Sequence, residues 1–214
     1  MAFNGVTATA YYPAGNITWT EDVMKDYGGK ITWVPYNPSN PFTDVPLGAY
    51  YEEPVIWAVE NGITDGVTET SFAPDNQCLR SQVVTFLHRA AKNPEPTSTN
   101  NPFTDMNTDN YFYKPVLWAV EKGITDGVSE TAFGSNNVCT RGQVVTLLWR
   151  AAGKPDPTST TNPFTDVNSD NYFYDPVLWA LENGITDGVT ETSFAPNATC
   201  TRAQVVTFLH RSNN

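Results

Sequence analysis

The sequence predicts a mainly α-helical protein in which three copies of a two-helix unit follow a small α/β head. The motif Phe-Thr-Asp begins at Phe42, Phe103 and Phe164, each 61 residues after the last. Each copy contains two segments with apolar residues at helical spacing, separated by a loop rich in Gly and Thr. A unit of about 50 residues buries too little surface to be stable alone. We therefore expect the three copies to share one core as a pseudo-threefold cluster.

The head, residues 1–40, is predicted to form a strand, a helical turn and a second strand. Residues 6–12 and residues 30–36 are rich in β-branched and aromatic side chains, which favour strands. Between them, residues 20–27 begin with a Thr that can cap a helical turn, and the pair Gly28-Gly29 ends it.

The three copies occupy residues 41–92, 102–153 and 163–214. Residues 93–100 and residues 154–161 lie between them and are rich in Pro, Ser and Thr, which is typical of extended, exposed linkers. The sequence therefore divides into one head and three tandem domains of equal length.

The first helix of the unit is clearest in the third copy. It is predicted to start near Asp175-Pro176, because Asp can accept hydrogen bonds from free N–H groups and Pro suits the first helical position. Residues 177–181 supply an apolar face that contains a Trp repeated as Trp57, Trp118 and Trp179, which we interpret as core. Gly184 fits the position just past the helix end.

The second helix is predicted to start at Thr201. Its hydroxyl can cap the helix, and Gln204 follows at the spacing of a capping box. The first copy has Leu79 in place of the capping Thr. Between the two helices, residues 187–196 contain too much Gly, Thr and Pro for a helix and are predicted to form a loop with a short strand or turn.

Composition excludes several classes of partner. The formal net charge of −11 disfavours nucleic acid and anionic lipid, because both repel an acidic protein at long range. No apolar run is long enough to span a membrane, so no membrane insertion is expected. Residues 1–5 do not resemble the start of a signal peptide, and we interpret the chain as a fragment of something longer.

Four features recur in every copy and together resemble a known family. Phe-Thr-Asp opens the unit, a Tyr follows, Gly-Ile ends the first helix, and Cys-x-Arg-x-Gln opens the second helix. This pattern resembles the S-layer homology domain, which usually occurs in threes. In that family the second helix opens with the signature Ile-Thr-Arg-Ala-Glu. The head resembles the closing segment of bacterial surface leucine-rich repeat arrays, which implies that it is the end of an upstream domain.

The resemblance implies both a fold and a role. The fold is a three-pronged pseudo-trimer around a central helix bundle, within a monomeric chain. The role is non-covalent anchoring of an exported protein to the bacterial cell wall or S-layer. The partner is an anionic secondary cell-wall polysaccharide, often with a pyruvylated terminal sugar, bound in grooves between repeats. No enzyme activity, cofactor or metal is implied.

The signature Arg is the leading candidate for holding the anion. It lies in the first turn of a helix, where the dipole disfavours a cation, and a guanidinium matches a carboxylate with two N–H groups. The alternative is a salt bridge between Arg202 and a repeated acid such as Asp166 or Asp187. The predicted ligand-binding residues are Arg80, Arg141, Arg202, Asp44, Asp105, Asp166, Tyr50, Tyr111, Tyr172, Gln82, Gln143 and Gln204.

Three other repeated features have competing interpretations. Cys78, Cys139 and Cys200 suit small buried hydrophobic residues, with a disulfide plus free thiol or an incomplete zinc site as alternatives. The segments beginning at Asp105 and Asp166 resemble starts of calcium loops but lack the Gly and Glu that such loops require. They are better explained as polar turns.

A catalytic interpretation is disfavoured by the repeat itself. His88 and His210 occupy equivalent positions, but the second copy has Trp149 there, which favours a packing role. Repeated acids are numerous enough that a glycosidase pair is not excluded by composition. Polar groups that come in threes nevertheless favour multivalent binding. Two hypotheses therefore lead, a wall-anchoring module and a structural or protein–protein module without a glycan site.

Overall fold

The computed structural model describes residues 3–213. Within that part of the chain, six α-helices follow a two-stranded sheet, which confirms a mainly helical fold with a small sheet at the N-terminus. The elements are β1 Thr7–Pro13, β2 Lys30–Tyr36, α1 Glu52–Glu60, α2 Arg80–Ala90, α3 Tyr113–Glu121, α4 Arg141–Ala151, α5 Tyr174–Glu182 and α6 Arg202–Ser212.

The head forms a parallel pair of strands. Thr7 of β1 lies opposite Lys30 of β2, and the register continues to the end of both strands. The predicted helical turn is present only as a turn, because the amides of Val23 and Met24 both donate to the carbonyl of Thr20 and no helix follows. Because β1 and β2 are parallel, the segment between them must cross from the end of β1 back to the end of the sheet where β1 begins.

The first helix of each repeat begins slightly before its predicted start. In the third repeat, α5 begins at Tyr174 and no side chain caps its first turn. The prediction that Asp175 caps this helix is therefore wrong. Asp175 and Pro176 are the second and third helical residues. There the carboxylate of Asp175 still favours the positive end of the helix dipole.

The predicted helix end at Gly184 is confirmed. Gly184 has a φ of +66°, a conformation that Gly adopts without steric cost. The amide of Ile185 donates to the carbonyl of Ala180 at 2.8 Å, which closes the helix with the hydrogen bond typical of a Schellman motif.

The predicted capping box is also present. The Thr201 hydroxyl accepts from the Gln204 amide at 3.3 Å, and the Gln204 side-chain oxygen accepts from the Thr201 amide at 3.1 Å. In the first repeat, Leu79 offers no side-chain acceptor, so only the bond from its amide to Gln82 remains, at 2.9 Å. The second helix of the first repeat therefore has only one of the two hydrogen bonds of a capping box.

The three repeats are joined at the start of their second helices. The Cys78 amide donates to the Cys200 carbonyl at 2.9 Å, the Cys139 amide to the Cys78 carbonyl at 3.0 Å, and the Cys200 amide to the Cys139 carbonyl at 2.9 Å. These three hydrogen bonds form a closed ring that links all three repeats.

Each first helix packs on the second helix of a different repeat. Helix α1 contacts α6, α3 contacts α2, and α5 contacts α4, while α4 contacts both α2 and α6. The core of one repeat is therefore completed by its neighbour, as expected for units too small to fold alone.

The three cysteines are small buried residues of this core, which confirms that interpretation. Cys78, Cys139 and Cys200 are at most 1% exposed, and all three are free thiols. Burial raises the pKa of Cys139 to about 11 and that of Cys200 to about 12, so the thiols stay protonated at neutral pH. No group of side chains suited to a metal ion occurs among residues 3–213.

Histidine and tryptophan share one packing role. The rings of His88 and Trp118 meet edge to face with centroids 5.3 Å apart. His88 Nε2 lies 2.9 Å from the carbonyl oxygen of Pro94, and Trp149 Nε1 donates to the carbonyl of Pro155 at 2.8 Å. An aromatic N–H that reaches the following linker explains why a Trp can replace the His.

No helix in the described part of the chain is both long and apolar enough to cross a membrane.

Candidate functional site

Three arginine side chains, each at the first position of a second helix, lie beneath the loop of another repeat. Arg80, Arg141 and Arg202 are 8%, 4% and 5% exposed. The guanidinium carbon of Arg202 lies 4.6 Å from the centre of the Phe72 ring, and that of Arg141 lies 4.8 Å from the Phe194 ring. Such cation–π contacts stabilise a partly desolvated cation. Because each pair joins two repeats, the arginines also connect the units.

The guanidinium groups donate hydrogen bonds to neutral oxygens. Arg202 donates from Nε to the Phe72 carbonyl at 3.0 Å and from Nη2 to the Asp65 carbonyl at 3.2 Å. Arg80 donates from Nη2 to the Thr125 hydroxyl. None of the ion pairs found among residues 3–213 includes any of the three arginines.

The alternative salt bridge from Arg202 is therefore not formed. Asp187 pairs with Arg211 at 3.2 Å, and the carboxylate of Asp166 accepts hydrogen bonds from a loop of its own repeat. Burial lowers the pKa of all three signature guanidinium groups, yet arginine stays protonated in proteins. Each of the three sites thus holds a buried positive charge that forms no ion pair among residues 3–213. Carboxylates act on these charges only from further away: Asp126 on Arg80, Asp166 on Arg141 and Asp44 on Arg202.

The predicted tyrosines lie beside these cations. Tyr50, Tyr111 and Tyr172 are 60–62% exposed, so one ring face is open to solvent. Tyr50 interacts electrostatically with Arg141, and Tyr172 does so with Arg80. Partial burial raises the pKa of both phenols, which keeps them neutral hydrogen-bonding groups.

Arg141 opens into a groove built from all three repeats. The groove has a volume of about 340 Å³. Tyr50 comes from the first repeat and Arg141 from the second, while Gln204, Thr207 and Arg211 come from the third. The Nη2 atom of Arg141 donates to the Thr186 hydroxyl at 3.5 Å, which is long for a hydrogen bond and therefore weak.

The other two arginines lie in equivalent surroundings. Arg80 of the first repeat interacts with Tyr172 of the third and donates to Thr125 of the second. Arg202 of the third repeat interacts with Tyr111 of the second and donates to Asp65 of the first. Every one of these sites therefore takes an arginine, a tyrosine and a loop from three different repeats.

The predicted aspartates hold the loop on which the arginines rest. The Asp44 carboxylate accepts from the amides of Phe72 and Ala73, each at 2.8 Å, and from the Ser71 hydroxyl at 2.7 Å. Asp166 binds the corresponding loop in the same way. Asp105 accepts from the amides of Phe133 and Gly134 but from no hydroxyl, because Ala132 takes the place of the serine. These carboxylates position the Phe ring and carbonyl that hold the guanidinium, and their contacts are within the protein.

Acid is expected to weaken the fold through these aspartates. Burial alone raises the pKa of Asp44, but the hydrogen bonds from Phe72, Ser71 and Ala73 outweigh it, and the net pKa is lowered from 3.8. A carboxyl with a lowered folded pKa contributes stability above its unfolded value and loses it as the pH falls through the folded one. We expect the urea midpoint to fall steeply below about pH 4.

The control for this pH dependence is the triple variant Asp44→Asn, Asp105→Asn and Asp166→Asn, measured by urea unfolding from pH 3 to pH 6. Its midpoint should be lower at pH 6 and should change less between pH 5 and pH 3. An unchanged acid slope in that variant would assign the acid lability to other groups.

The predicted glutamines act mainly as caps. Gln82, Gln143 and Gln204 each accept from the amide of the residue that precedes the second helix. Gln204 also lines the groove around Arg141. The groove around Arg141 thus brings an arginine, a tyrosine and a glutamine together. The three predicted aspartates do not line this groove, and their carboxylates bind the backbone amides of the loops instead.

Sequence reasoning missed a second arginine in each site. Arg150 pairs with Asp126 at 3.2 Å and donates to the Ile124 carbonyl at 3.3 Å, and the same pattern occurs at Arg89 and Arg211. These arginines are about one-third exposed. Their recurrence at the 61-residue interval is a signal that was available in the sequence.

A comparison with known protein families identifies the family of this chain. The family model of the S-layer homology domain matches residues 41–84, 102–145 and 163–206, more than half of the sequence. The chain belongs to the S-layer homology domain family. The three tandem S-layer homology repeats predicted from the sequence are thereby confirmed.

Several curated proteins are similar to part of this chain. An S-layer protein of Bacillus thuringiensis subsp. finitimus is 25% identical over 80% of this chain and 21% of its own length. A cell surface protein of Thermoanaerobacter kivui is 29% identical over 54% of this chain and 16% of its own. An endoglucanase of Bacillus sp. (strain KSM-635) is 30% identical over 59% of this chain and 13% of its own. The chain thus spans about a fifth or less of these relatives.

The family and the S-layer relatives indicate a cell-surface anchoring module rather than a catalytic domain. S-layer homology domains bind cell-wall polymers, and the match supports a location at the cell surface or in the cell wall. The endoglucanase match involves a small share of that protein.

Proposed function

We propose that this module anchors an exported bacterial surface protein to the cell wall by binding an anionic secondary cell-wall polysaccharide. The ligand is an acidic terminal sugar, such as a pyruvylated one, held in grooves between the S-layer homology repeats. The observation that supports the proposal most directly is that Arg80, Arg141 and Arg202 are buried cations that form no direct ion pair with a carboxylate among residues 3–213.

An unpaired buried cation costs free energy that a bound anion recovers. Taking a charge out of water is unfavourable unless an opposite charge and hydrogen bonds compensate for it. The carbonyl and hydroxyl oxygens around Arg141 and Arg202 provide hydrogen bonds but no negative charge. A carboxylate on a sugar would supply that charge and would accept two parallel N–H bonds from the guanidinium fork.

The groove around Arg141 has further features of a sugar site. Tyr50 presents an exposed ring that can pack against a sugar face, and the side-chain NH₂ group of Gln204 supplies a neutral donor. Arg211 adds a second cation at the more exposed side. A sugar that carries one carboxylate therefore meets complementary charge, a flat apolar surface and hydrogen-bonding groups in one groove.

We further propose that the repeats form a three-pronged, pseudo-threefold bundle within a monomeric chain. The ring of hydrogen bonds among Cys78, Cys139 and Cys200 and the cyclic packing of first on second helices support this arrangement. The proposed domains are the head at 1–40 and the repeats at 41–92, 102–153 and 163–214. The head is proposed to end an upstream domain.

Three grooves on one chain would raise the strength of attachment. Once one acidic sugar on a wall polymer is bound, neighbouring sugars on the same polymer bind at a high effective concentration. A multivalent module therefore holds an exported protein on the wall without a covalent bond.

The test is co-sedimentation with purified wall sacculi. We expect the wild-type chain to pellet with intact sacculi and to stay in solution when the secondary polymer has been chemically extracted. Bovine serum albumin, which is also acidic, controls for non-specific trapping. Pelleting that persists after extraction would reject the polysaccharide and support the second hypothesis, a protein–protein module without a glycan site.

The aspartate beside the second arginine is expected to compete with the ligand. Asp65, Asp126 and Asp187 are exposed carboxylates paired with groove arginines, so each occupies part of the positive charge. Replacing all three by Asn should tighten polymer binding by about twofold to fivefold, because exposed ion pairs are weak.

Isothermal titration with extracted wall polymer measures this effect. The control replaces Glu21, Asp22 and Asp26 by the corresponding amides, since these three exposed acids of the head line neither the groove around Arg141 nor the cavity beside Tyr111. Equal tightening in both variants would show a general effect of net charge instead of competition within the groove.

A further inference from the structure

A second cavity lies where the head meets the first repeat, away from the arginine sites. Its volume is about 700 Å³, about twice that of the groove around Arg141. One wall is a face of the small sheet with Tyr11, Val34 and Tyr36, and the other includes Phe42 and Leu47 of the first repeat. The volume is within the range of about 300–1,000 Å³ that small-molecule sites occupy.

The alternation of side chains along the strands explains why aromatic groups face this cavity. Successive residues of a strand point to opposite faces. Tyr12 and Trp33 point away from the cavity and pack on Trp19. The ring centroid of Trp19 lies 6.0 Å from that of Tyr12 and 5.9 Å from that of Trp33. The neighbouring residues Tyr11 and Tyr36 therefore lie on the opposite face, where they are 66% and 43% exposed.

The polar groups of this cavity are neutral. Within the described part of the chain, its lining contains no Asp, Glu, Lys, Arg or His. The hydroxyls of Tyr11 and Tyr36 contribute donors and acceptors. The Asn37 side-chain oxygen accepts from the Ser39 amide at 3.0 Å, which fixes the amide plane and leaves its NH₂ group as an oriented donor.

We propose that this cavity binds a neutral carbohydrate of two or three sugar units. The exposed Tyr rings match the C–H faces of sugar rings, and the hydroxyl and amide groups match sugar hydroxyls without requiring a charge. The lining lacks the cation that defines the arginine grooves, so the two sites select different sugars. Pro35, Pro41 and Pro46 line the cavity and have no N–H to donate, so it is poorly suited to pairing with the backbone of an extended peptide.

The probes are N-acetylchitotriose and cellotriose, two neutral trisaccharides, titrated into the ¹⁵N-labelled full chain. We expect one or both to shift the side-chain NH₂ signal of Asn37. Tyr11→Ala and Tyr36→Ala should each weaken binding by about fivefold to tenfold. The matched control is Tyr27→Ala, since Tyr27 is 42% exposed in the head but does not line this cavity; it should leave trisaccharide binding unchanged.

Co-sedimentation with intact sacculi, measured for Tyr11→Ala, separates this proposal from the proposed anchoring function. We expect that variant to pellet like wild type, because the arginine grooves are intact. The proposal is overturned if neither trisaccharide shifts the Asn37 signal, or if both tyrosine variants bind like wild type. It is also overturned if a proline-rich peptide binds the cavity while both sugars fail to bind.

Discussion

Replacing Arg80, Arg141 and Arg202 together by Gln is expected to abolish attachment to wall sacculi. Each substitution removes a buried, hydrogen-bonded cation that the proposed ligand pairs with, and loss of one partner of such a pair costs about 2 kcal/mol or more. That is about thirtyfold in affinity for each occupied groove, and the avidity of three grooves is lost as well. Co-sedimentation with sacculi over a range of wall concentrations measures the loss.

The matched control is the triple variant Lys25→Gln, Lys30→Gln and Lys122→Gln. It changes the net charge by the same amount, but its lysines are exposed and line neither the groove around Arg141 nor the cavity beside Tyr111. We expect it to pellet like wild type. A triple Arg→Lys variant keeps the charge and loses the planar fork, and should bind with intermediate affinity. Full attachment of the folded Gln variant would show that the arginines hold no ligand.

Replacing Phe194 by Ala is expected to lower the stability of the whole fold strongly. The side chain is fully buried, contacts the ring of Phe164 at 5.8 Å between centroids, and supports the guanidinium of Arg141. Truncating a buried Phe to Ala costs about 3–5 kcal/mol. Urea unfolding of the full chain should show a correspondingly lower midpoint.

The control for Phe194 is Val189→Ala in the same loop, because Val189 is 51% exposed. It should change the free energy of unfolding by about 0.5 kcal/mol or less. A loss of less than about 1 kcal/mol for Phe194→Ala would contradict the view that this loop forms part of the shared core.

The local structure of each repeat was largely predictable from the sequence. Capping chemistry at Thr201 and Gln204 and the glycine at the end of the first helix predicted the helix limits closely, because these motifs depend on neighbouring residues only. The start of the first helix near Asp175 was predicted to within one residue, whereas the capping role of Asp175 was not confirmed, because no side chain caps this turn.

The partner of each helix was not predictable from the sequence. In a chain with three similar units, packing of α1 on α2 and packing of α1 on α6 bury nearly the same residue types, so periodicity cannot distinguish them. The same ambiguity concealed the contact between Arg202 and Phe72, which lie in different repeats. Only the three-dimensional arrangement assigns each arginine to its groove.

The role of the repeated aspartate shows a second limit. Asp44 accepts from backbone amides 28 and 29 residues further along the chain. Because every residue except Pro has a backbone N–H, the sequence does not show which amides an acid will bind. From the sequence alone, an acid near a repeated Arg suggested a shared ligand site. In the structure, it stabilises the loop that carries Phe72.

The most direct test of anion binding by the arginines follows their side chains during binding. We would titrate purified acidic wall oligosaccharide into the ¹⁵N-labelled chain and record the Nε–H signals of Arg80, Arg141 and Arg202. We expect at least the Arg141 signal to shift in a saturable manner, and the same oligosaccharide with its acidic groups removed to leave it unchanged. Saturable binding that leaves all three signals in place would contradict the claim that these guanidinium groups hold the anion.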